Sequence, residues 1–378
     1  MALDWPRWRG PELNGHSKET GWLSTWPAGG PTVVWKAAVG IGFSSMTVAD
    51  GRCFTMGNRE DKDTVYCFDA ATGKELWKHT YPCALQAKFY EGGPGSTPTV
   101  DGDRVFTFSK TGEAFCLEAA TGKVVWSRDL AKEPGAKAPT WGFAGSALVQ
   151  GDLLLLNAGV AGTALDKKTG KVVWSSGAEA SGYSTLVPLD ATGNTMLIFG
   201  AQALIAVDTK TGKESWRHVW KTSYDVNAAD PVVAGDSVFI SSGYEHGGAL
   251  LKVADGKTTV VWENKNMRNQ FNSSVLSEGY LYGVDENQLR CLELATGAVK
   301  WTEKSVGKGS LMLADGKLIV LSEKGDLMVA PVSPEGFKTT ARAKVLGGRC
   351  WTTPVLANGR IYCRNAPGDV VCVDVRGK

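Results

Sequence analysis

The chain has 378 residues, and its 41 Lys and Arg residues nearly balance its 39 Asp and Glu residues, which leaves a formal charge of +2. Because no run of basic residues stands out, nucleic acid is not expected as a partner. The longest aliphatic stretch, around Leu153–Leu156, is far too short to cross a bilayer, so we expect no transmembrane segment.

Residues 1–30 form a leader that shows neither strand nor helix periodicity. It contains Trp5, Trp8, Trp22 and Trp26. So much aromatic surface is unfavourable in a loose tail, and we therefore expect the leader to pack on the folded body that follows. We interpret it as a structural clasp. The alternative interpretation is a lip that contacts a ligand or a partner.

From residue 31 onward one phrase recurs, as in "FDAATGKELW", "LEAATGKVVW" and "LDKKTGKVVW". Its spacing of about 40 to 50 residues is typical of propellers and solenoids. In each copy a strand ends in an acidic residue, Thr-Gly makes the turn, and the next strand carries a Trp that we expect to pack on the neighbouring unit. The repeat tryptophans are Trp35, Trp77, Trp126, Trp174, Trp216, Trp262 and Trp301.

Two more alternating runs precede each phrase, so one unit is predicted to be a four-stranded antiparallel meander, the blade of a β-propeller. An eighth outer strand without a Trp is predicted at Thr339–Val345. Residues 346–376 supply only three strands, and residues 31–39 supply a fourth. We therefore predict an all-β, eight-bladed propeller over residues 31–378, closed by pairing Thr32–Val39 with Val370–Val375. The clasp would cover this composite closing blade.

The eight cysteines form no metal-binding spacing. Cys67, Cys116, Cys291 and Cys372 occupy the same position in their repeats, where they are expected in the core. Cys83 and Cys350 lie in predicted loops and are expected to be exposed. No metal site is predicted from these residues.

The Asp-x-x-Thr-Gly-Lys-x-x-Trp phrase resembles the repeat of the PQQ-like (pyrroloquinoline-quinone-type) propellers, from about Pro31 to Val375. That family includes quinoprotein alcohol dehydrogenases and outer-membrane assembly factors of the BamB type. The resemblance implies an eight-bladed ring and a periplasmic or secreted protein whose signal peptide is removed. It implies much less about activity, because one fold carries many functions.

In such rings, the loops leading into the innermost strands gather around one mouth of the central channel, together with the loops between second and third strands. A mouth that combines aromatic rings with a few polar groups is the usual form of a small-molecule site. The candidate ligand-binding residues are Trp141, Tyr183, Tyr224, Asp225, Asn227, Tyr244, Arg268, Asn272, Asp285, Arg349 and Trp351. The same loops also carry Phe43, Lys88–Glu91, Phe143, Gln270 and Lys308.

A quinoprotein dehydrogenase would need a planar surface for the quinone, oxygen ligands for calcium, a cation near the quinone oxygens and a base. Trp141 or Trp351 are candidates for the surface, and Arg268 or Arg349 for the cation. The candidate oxygen donors are Glu91, Asp225, Asn227, Asn272, Asp285 and Glu286. However, this chain lacks the adjacent Cys-Cys pair and the long insertions that the resemblance to those enzymes implies.

We therefore expect a monomeric binding module or scaffold that acts without catalysis. Its partner would be a protein, or a glycan or polyol held at the mouth by rings that stack on sugar faces and amides that bond hydroxyls. No cofactor is predicted for this function. The alternative is an alcohol or sugar dehydrogenase that uses PQQ and calcium.

Overall fold

The computed structural model of the chain describes residues 3–88 and 90–377. Met1, Ala2 and Lys378, at the ends of the predicted leader and propeller, lie outside these ranges, as does Phe89 of the loop Lys88–Glu91. Within them the chain forms strands joined by turns and loops, and no helix there is suited to span a membrane.

Eight four-stranded antiparallel sheets follow one another around a ring, so the predicted eight-bladed propeller is confirmed. Each blade begins with a short strand at the channel and ends with a strand at the circumference. Blades 1 and 2 consist of β3 (Thr47–Ala49), β4 (Arg52–Arg59), β5 (Lys62–Asp69), β6 (Glu75–Pro82), β7 (Thr99–Asp101), β8 (Arg104–Phe108), β9 (Glu113–Glu118) and β10 (Val124–Asp129). Blades 3 and 4 consist of β11 (Leu148–Gln150), β12 (Leu153–Leu156), β13 (Thr163–Asp166), β14 (Val172–Ser175), β15 (Val187–Pro188), β16 (Thr195–Phe199), β17 (Ala203–Asp208) and β18 (Glu214–Val219).

The second half of the ring repeats this order, with additions from the leader. Blades 5 and 6 consist of β19 (Val232–Ala234), β20 (Ser237–Ser242), β21 (Gly247–Ala254), β22 (Lys257–Asn264), β23 (Val275–Ser277), β24 (Tyr280–Asp285), β25 (Gln288–Glu293) and β26 (Val299–Glu303). Blades 7 and 8 consist of β27 (Ser310–Ala314), β28 (Lys317–Leu321), β29 (Asp326–Pro331), β30 (Ala341–Lys344), β31 (Val355–Ala357), β32 (Arg360–Arg364) and β33 (Asp369–Asp374), joined by β1 (His16–Ser17) and β2 (Thr32–Ala38).

The ring closes as the sequence predicts, because β2 from the N-terminal part pairs antiparallel with β33 near the C-terminus. Trp35 lies opposite Cys372, and Thr32 lies opposite Asp374. The predicted outer strand of blade 7 is also present, as β30. Closure leaves no exposed blade face between blade 8 and blade 1.

A β-bulge next to each repeat Trp explains how that side chain reaches the next blade. In blade 2 the register between β9 and β10 shifts between Val124 and Trp126. The extra residue breaks the normal alternation. Val124 and Val125 therefore both point to solvent, whereas Trp126 is buried. The same shift occurs at all seven Trp-bearing outer strands, and β30, which has no Trp, pairs without it.

Five of the seven repeat tryptophans pack on the glycine of the Thr-Gly turn in the following blade. Trp126 donates its indole N–H to the carbonyl of Lys167 in blade 3, at 3.0 Å. Its ring lies against Gly170, where an added Cβ would be 2.7 Å from the ring and the backbone has a φ of +70°. Glycine is thus required there both for the turn and for the close approach of the ring. Equivalent indole hydrogen bonds come from Trp35, Trp77, Trp174, Trp262 and Trp301, and Trp216 packs with the core of blade 5.

All eight cysteines are buried and free. The prediction that Cys83 and Cys350 would be exposed is wrong. The carbonyl of Cys83 accepts a hydrogen bond from the buried Asn58 amide, and the backbone N–H of Cys350 donates to the carbonyl of Glu323. These loops are held between blades, which shields both thiols from solvent.

The first part of the leader crosses the channel end opposite the mouth. Trp5 exchanges two backbone hydrogen bonds with Val48 on the innermost strand of blade 1, and the carbonyl of Pro6 accepts from Val100 on that of blade 2. β1 then runs parallel to β27 on the channel side of blade 7. These contacts satisfy edges of innermost strands that would otherwise face the channel.

The second part of the leader covers blade 8, where the sequence analysis expects a clasp. Glu19 accepts a hydrogen bond from the N–H of Gly359, and Leu23 donates to the carbonyl of Val375. Trp22 is buried in the same hydrophobic cluster as the closing strands. The leader therefore contacts both the channel and the closing blade.

Candidate functional site

A cavity of about 270 Å³ opens at the mouth of the channel, and loops from all parts of the ring line it. Five of the candidate residues predicted from the sequence lie on its wall: Trp141, Tyr183, Tyr244, Asn272 and Trp351. The loops leading into innermost strands add Phe43, Tyr90, Phe143 and Phe271. The wall of this mouth pocket is therefore dominated by aromatic rings contributed by different blades.

The rings support one another around Trp351. Phe43 from blade 1 is stacked on it with centroids 5.8 Å apart, and Phe271 from blade 6 lies 4.7 Å away. The guanidinium of Arg349 lies 4.3 Å from the ring centroid of Trp351, within cation–π range. Contacts from two other blades and a cation fix the orientation of this ring, so it presents a preformed surface.

Tyrosines supply neutral hydroxyl groups to the same wall. Burial raises the pKa of Tyr183 and of Tyr90 to about 12, so both phenols are protonated near neutral pH. The Tyr183 hydroxyl accepts a hydrogen bond from the backbone N–H of Trp141, at 3.4 Å. Tyr244 is backed by Tyr224 in an edge-to-face contact with centroids 5.2 Å apart.

Lys110 is a charged group on the pocket wall. Its ammonium donates to the carbonyl of Leu85 at 3.1 Å and to the hydroxyl of Tyr90 at 3.4 Å. Burial lowers the pKa of this amine. Nearby, Lys308 donates to the side-chain oxygen of Gln270, and Asn272 donates to the carbonyl of Gly309. The polar groups on the pocket wall are amides, hydroxyls, the amine of Lys110 and the carboxylate of Asp230.

The pocket also contains Trp8 from the leader and Asp230 from blade 5, neither of which was predicted from the sequence as a ligand-binding residue. The indole N–H of Trp8 donates to Asp230 at 2.5 Å. Because the leader crosses the channel below the mouth loops, Trp8 forms the floor of the pocket.

Other candidates lie near the mouth but not on the pocket wall. Asp285 is fully buried and forms ion pairs with Arg268 at 2.7 Å and Arg290 at 2.8 Å. Arg268 also bonds Glu245, and its hydrogen bonds to Asp285 raise its pKa. These residues hold loops of blades 5 and 6 together, so their charges are already compensated.

The remaining candidates are divided between the core and the surface. Asn227 is buried and donates to the carbonyls of Gly200 and Ala201. Tyr224 is 58% exposed, and Asp225 is exposed with a φ of +54°. Arg349 is paired with Glu91 at 2.7 Å. None of these four residues lines the pocket.

A calcium-bound quinone does not fit the donor set that the sequence suggests for it. Asp285 is neutralised by two arginines, Asn227 is committed to backbone carbonyls, and Asp225 faces solvent. Within residues 3–88 and 90–377, no group of three or more His, Cys, Asp and Glu side chains is close enough to hold a metal ion. The carboxylates and amides therefore do not converge on one point of the pocket, as hard-cation ligands must.

Some of the missed residues had a signal in the sequence. Phe271 lies directly between Gln270 and Asn272, and Asp230 comes just before an innermost strand, which is where mouth residues occur. Lys110 lies between the second and third strands of blade 2, a loop of the right type. Trp8 had only a general signal, because the tryptophan content of the leader does not say which ring enters the channel.

The sequence of residues 20–93 and 61–303 matches the profile of a family described as outer membrane protein assembly factor BamB. These two matches together span most of the chain. The protein belongs to this family of PQQ-like β-propellers. A comparison with curated proteins finds no match.

Solved structures with the same fold include BamB and several dehydrogenases. BamB from Moraxella catarrhalis has 18% identity, a TM-score of 0.66, and coverage of 92% of this chain and 98% of its own. Quinohemoprotein alcohol dehydrogenase from Comamonas testosteroni has 14% identity, a TM-score of 0.73, and coverage of 100% and 81%. A europium-containing methanol dehydrogenase has 12% identity, a TM-score of 0.72, and coverage of 98% and 89%. At such identities the likeness shows the fold alone.

Proposed function

We propose that the protein is an exported binding module whose mouth pocket holds a sugar unit or a related polyol. The observation that carries this proposal is the wall of aromatic rings from several blades, interspersed with amides, hydroxyls, the amine of Lys110 and the carboxylate of Asp230. Flat rings stack on the apolar faces of a sugar, and neutral amides and phenols exchange hydrogen bonds with its hydroxyls. No catalytic step is part of the proposal.

Preorganisation supports binding in this pocket. Trp351 is in contact with Phe43 and Phe271, and Lys110 donates hydrogen bonds to Leu85 and Tyr90. Groups that are ordered before the ligand arrives lose little conformational entropy on binding. A rigid ring of blades with variable loops suits recognition of one ligand without rearrangement of the core.

A protein-binding scaffold is the second candidate, and membership of the BamB family favours it. The same family description supports a location outside the cytoplasm. In this case the partner would contact the loop-bearing face around the mouth, and blocking the pocket with a small sugar would leave the complex intact. Fractionation of native cells, followed by detection of the protein, tests its location.

The test of the sugar proposal is isothermal titration calorimetry with a panel of uncharged polyols and oligosaccharides of one to six units. We expect saturable binding of at least one member, and loss of that binding in Trp351→Ala. A matched control is Trp26→Ala, which removes a tryptophan ring that does not line the pocket. Absence of binding across the panel contradicts the proposal. Dye reduction with alcohols or sugars after addition of PQQ and calcium would favour the dehydrogenase instead.

A further inference from the structure

The leader enters the channel, and this gives it contact with the proposed binding site. Trp5 exchanges hydrogen bonds with the innermost strand of blade 1, the carbonyl of Pro6 accepts from that of blade 2, and the carbonyl of Gly15 accepts from the backbone N–H of Leu313 in blade 7. Arg7 reaches the carbonyl of Val149 in blade 3 at 3.4 Å. The leader is thus held on several sides of the channel, below the mouth loops.

A buried polar cluster fixes the segment that carries Trp8. Asp230 accepts hydrogen bonds from the Trp8 indole at 2.5 Å and from the backbone N–H of Thr185 at 2.7 Å. It also lies 3.8 Å from the guanidinium of Arg9, and both charged side chains are almost fully buried. Arg9 in turn donates to the carbonyls of Leu13 and Ser274.

This cluster is better explained by positioning than by stability. Removing two charges from water costs about as much free energy as their attraction returns, so a buried pair adds little net stability. Its directional bonds, however, allow only one placement of Trp8 relative to blades 4, 5 and 6. Burial raises the pKa of the Asp230 carboxyl, while the Arg9 guanidinium opposes that shift.

We infer that the leader is part of the binding site, with Trp8 as its floor and Asp230 as the positioning residue that holds this floor in place. The channel is then closed beneath the pocket. A ligand approaches from the mouth only, and a chain-like ligand is bound at one end instead of being threaded. This inference rests on the proposed function for the nature of the ligand, but the floor itself is testable without any ligand.

The experiment uses the full chain labelled with 5-fluorotryptophan and observed by ¹⁹F NMR. The neutral nitroxide TEMPOL serves as a probe of solvent access, and Trp→Phe variants assign the resonances of Trp8, Trp141, Trp351, Trp5 and Trp22. We expect TEMPOL to reduce the signals of Trp8, Trp141 and Trp351, which line the pocket, and to leave the buried Trp5 and Trp22 nearly unchanged.

The outcomes separate the two proposals. Loss of signal at Trp141 and Trp351 without loss at Trp8 contradicts the inference that Trp8 forms the floor. It does not contradict the presence of a pocket at the mouth. Absence of an effect at all three residues shows that the pocket is closed to small molecules, which overturns the proposed function. Signal loss at Trp5 comparable to that at Trp8 shows an open channel and also overturns the inference.

The role of Asp230 is tested in the same spectra. In Asp230→Asn we expect the Trp8 resonance to shift and its TEMPOL effect to change, with Trp141 and Trp351 unaffected. Asp236→Asn, in an exposed turn of the same blade, is the matched control and should leave all these resonances in place. A Trp8 resonance that is identical in wild type and Asp230→Asn contradicts the positioning role. If this variant fails to fold, the TEMPOL effects on the wild-type resonances still test whether Trp8 forms the floor.

Discussion

The circumference and the channel of this ring are built in different ways. At the circumference, the same Trp, the same bulge and the same glycine turn recur from blade to blade. In the channel, each loop contributes a different side chain, and a non-repeating leader completes the structure. The comparison teaches that repetition secures the fold, whereas the non-repeating residues carry the specificity.

The largest effect is expected from breaking a contact at the circumference. Trp126→Ala removes a buried ring and its hydrogen bond to Lys167, which should lower the free energy of unfolding by about 3–5 kcal/mol. Urea denaturation followed by circular dichroism measures this change. Because Trp126 lies on an outer strand and not on the pocket wall, ligand affinity of the folded fraction should not change. A loss of affinity without a loss of stability would contradict the division between the two regions.

The closing contact between blades 8 and 1 provides a second, smaller effect. Arg364 is fully buried and donates to the carbonyls of Gly40, Ser44 and Met56. In Arg364→Leu these acceptors are left without this donor, and we expect a loss of about 1–3 kcal/mol in unfolding free energy. The measurement is the same urea titration. Arg360→Leu, on the same strand but less buried, is the matched control and should cost less.

The leader should show a still smaller, pH-dependent effect. Burial, with a further contribution from Arg9, lowers the pKa of His16, while Glu12 and the carbonyl of Leu276 oppose the shift. A depressed folded-state pKa means that the stabilisation is present above the unfolded value of about 6.5 and is lost as the pH falls through the folded value. The melting temperature of wild type should therefore decrease more between pH 7 and pH 5 than that of His16→Gln. Equal decreases in both proteins would contradict this assignment.

The smallest effect on stability, but a clear one on binding, is expected at the mouth. Trp351→Ala should weaken binding of a panel sugar about tenfold, the factor that about 1.4 kcal/mol produces. Asp225 does not line the pocket, so Asp225→Asn should leave the affinity for the sugar unchanged. Titration calorimetry compares the two variants with wild type. An effect of Asp225→Asn equal to that of Trp351→Ala would show that the ligand binds outside the pocket.

The sequence predicts the circumference well because each unit repeats the same local signals. The Thr-Gly turns, the strand alternation and the Trp spacing are local features, and even the pairing of β2 with β33 follows from counting strands. The mouth is harder to predict, since its residues meet only after eight blades close. Sequence order placed Trp141, Tyr183 and Trp351 in loops of the right type, but it could not show that Asp285 is neutralised by arginines.

The leader illustrates the same limit. Its aromatic content predicts packing on the propeller, yet the path of Trp8 into the channel depends on Asp230, more than 200 residues away along the chain. The burial of Cys83 and Cys350 was missed for the same reason. Loops that look exposed in the sequence are enclosed by blades that come from distant segments.

The most direct test of the account is a crystal structure of the protein soaked with the tightest-binding sugar of the panel. We predict that the sugar lies in the mouth pocket, with one face on Trp351 or Trp141 and its innermost unit above Trp8. A sugar bound at the circumference, against the exposed valines of the outer strands, would contradict the claim that the channel mouth is the binding site.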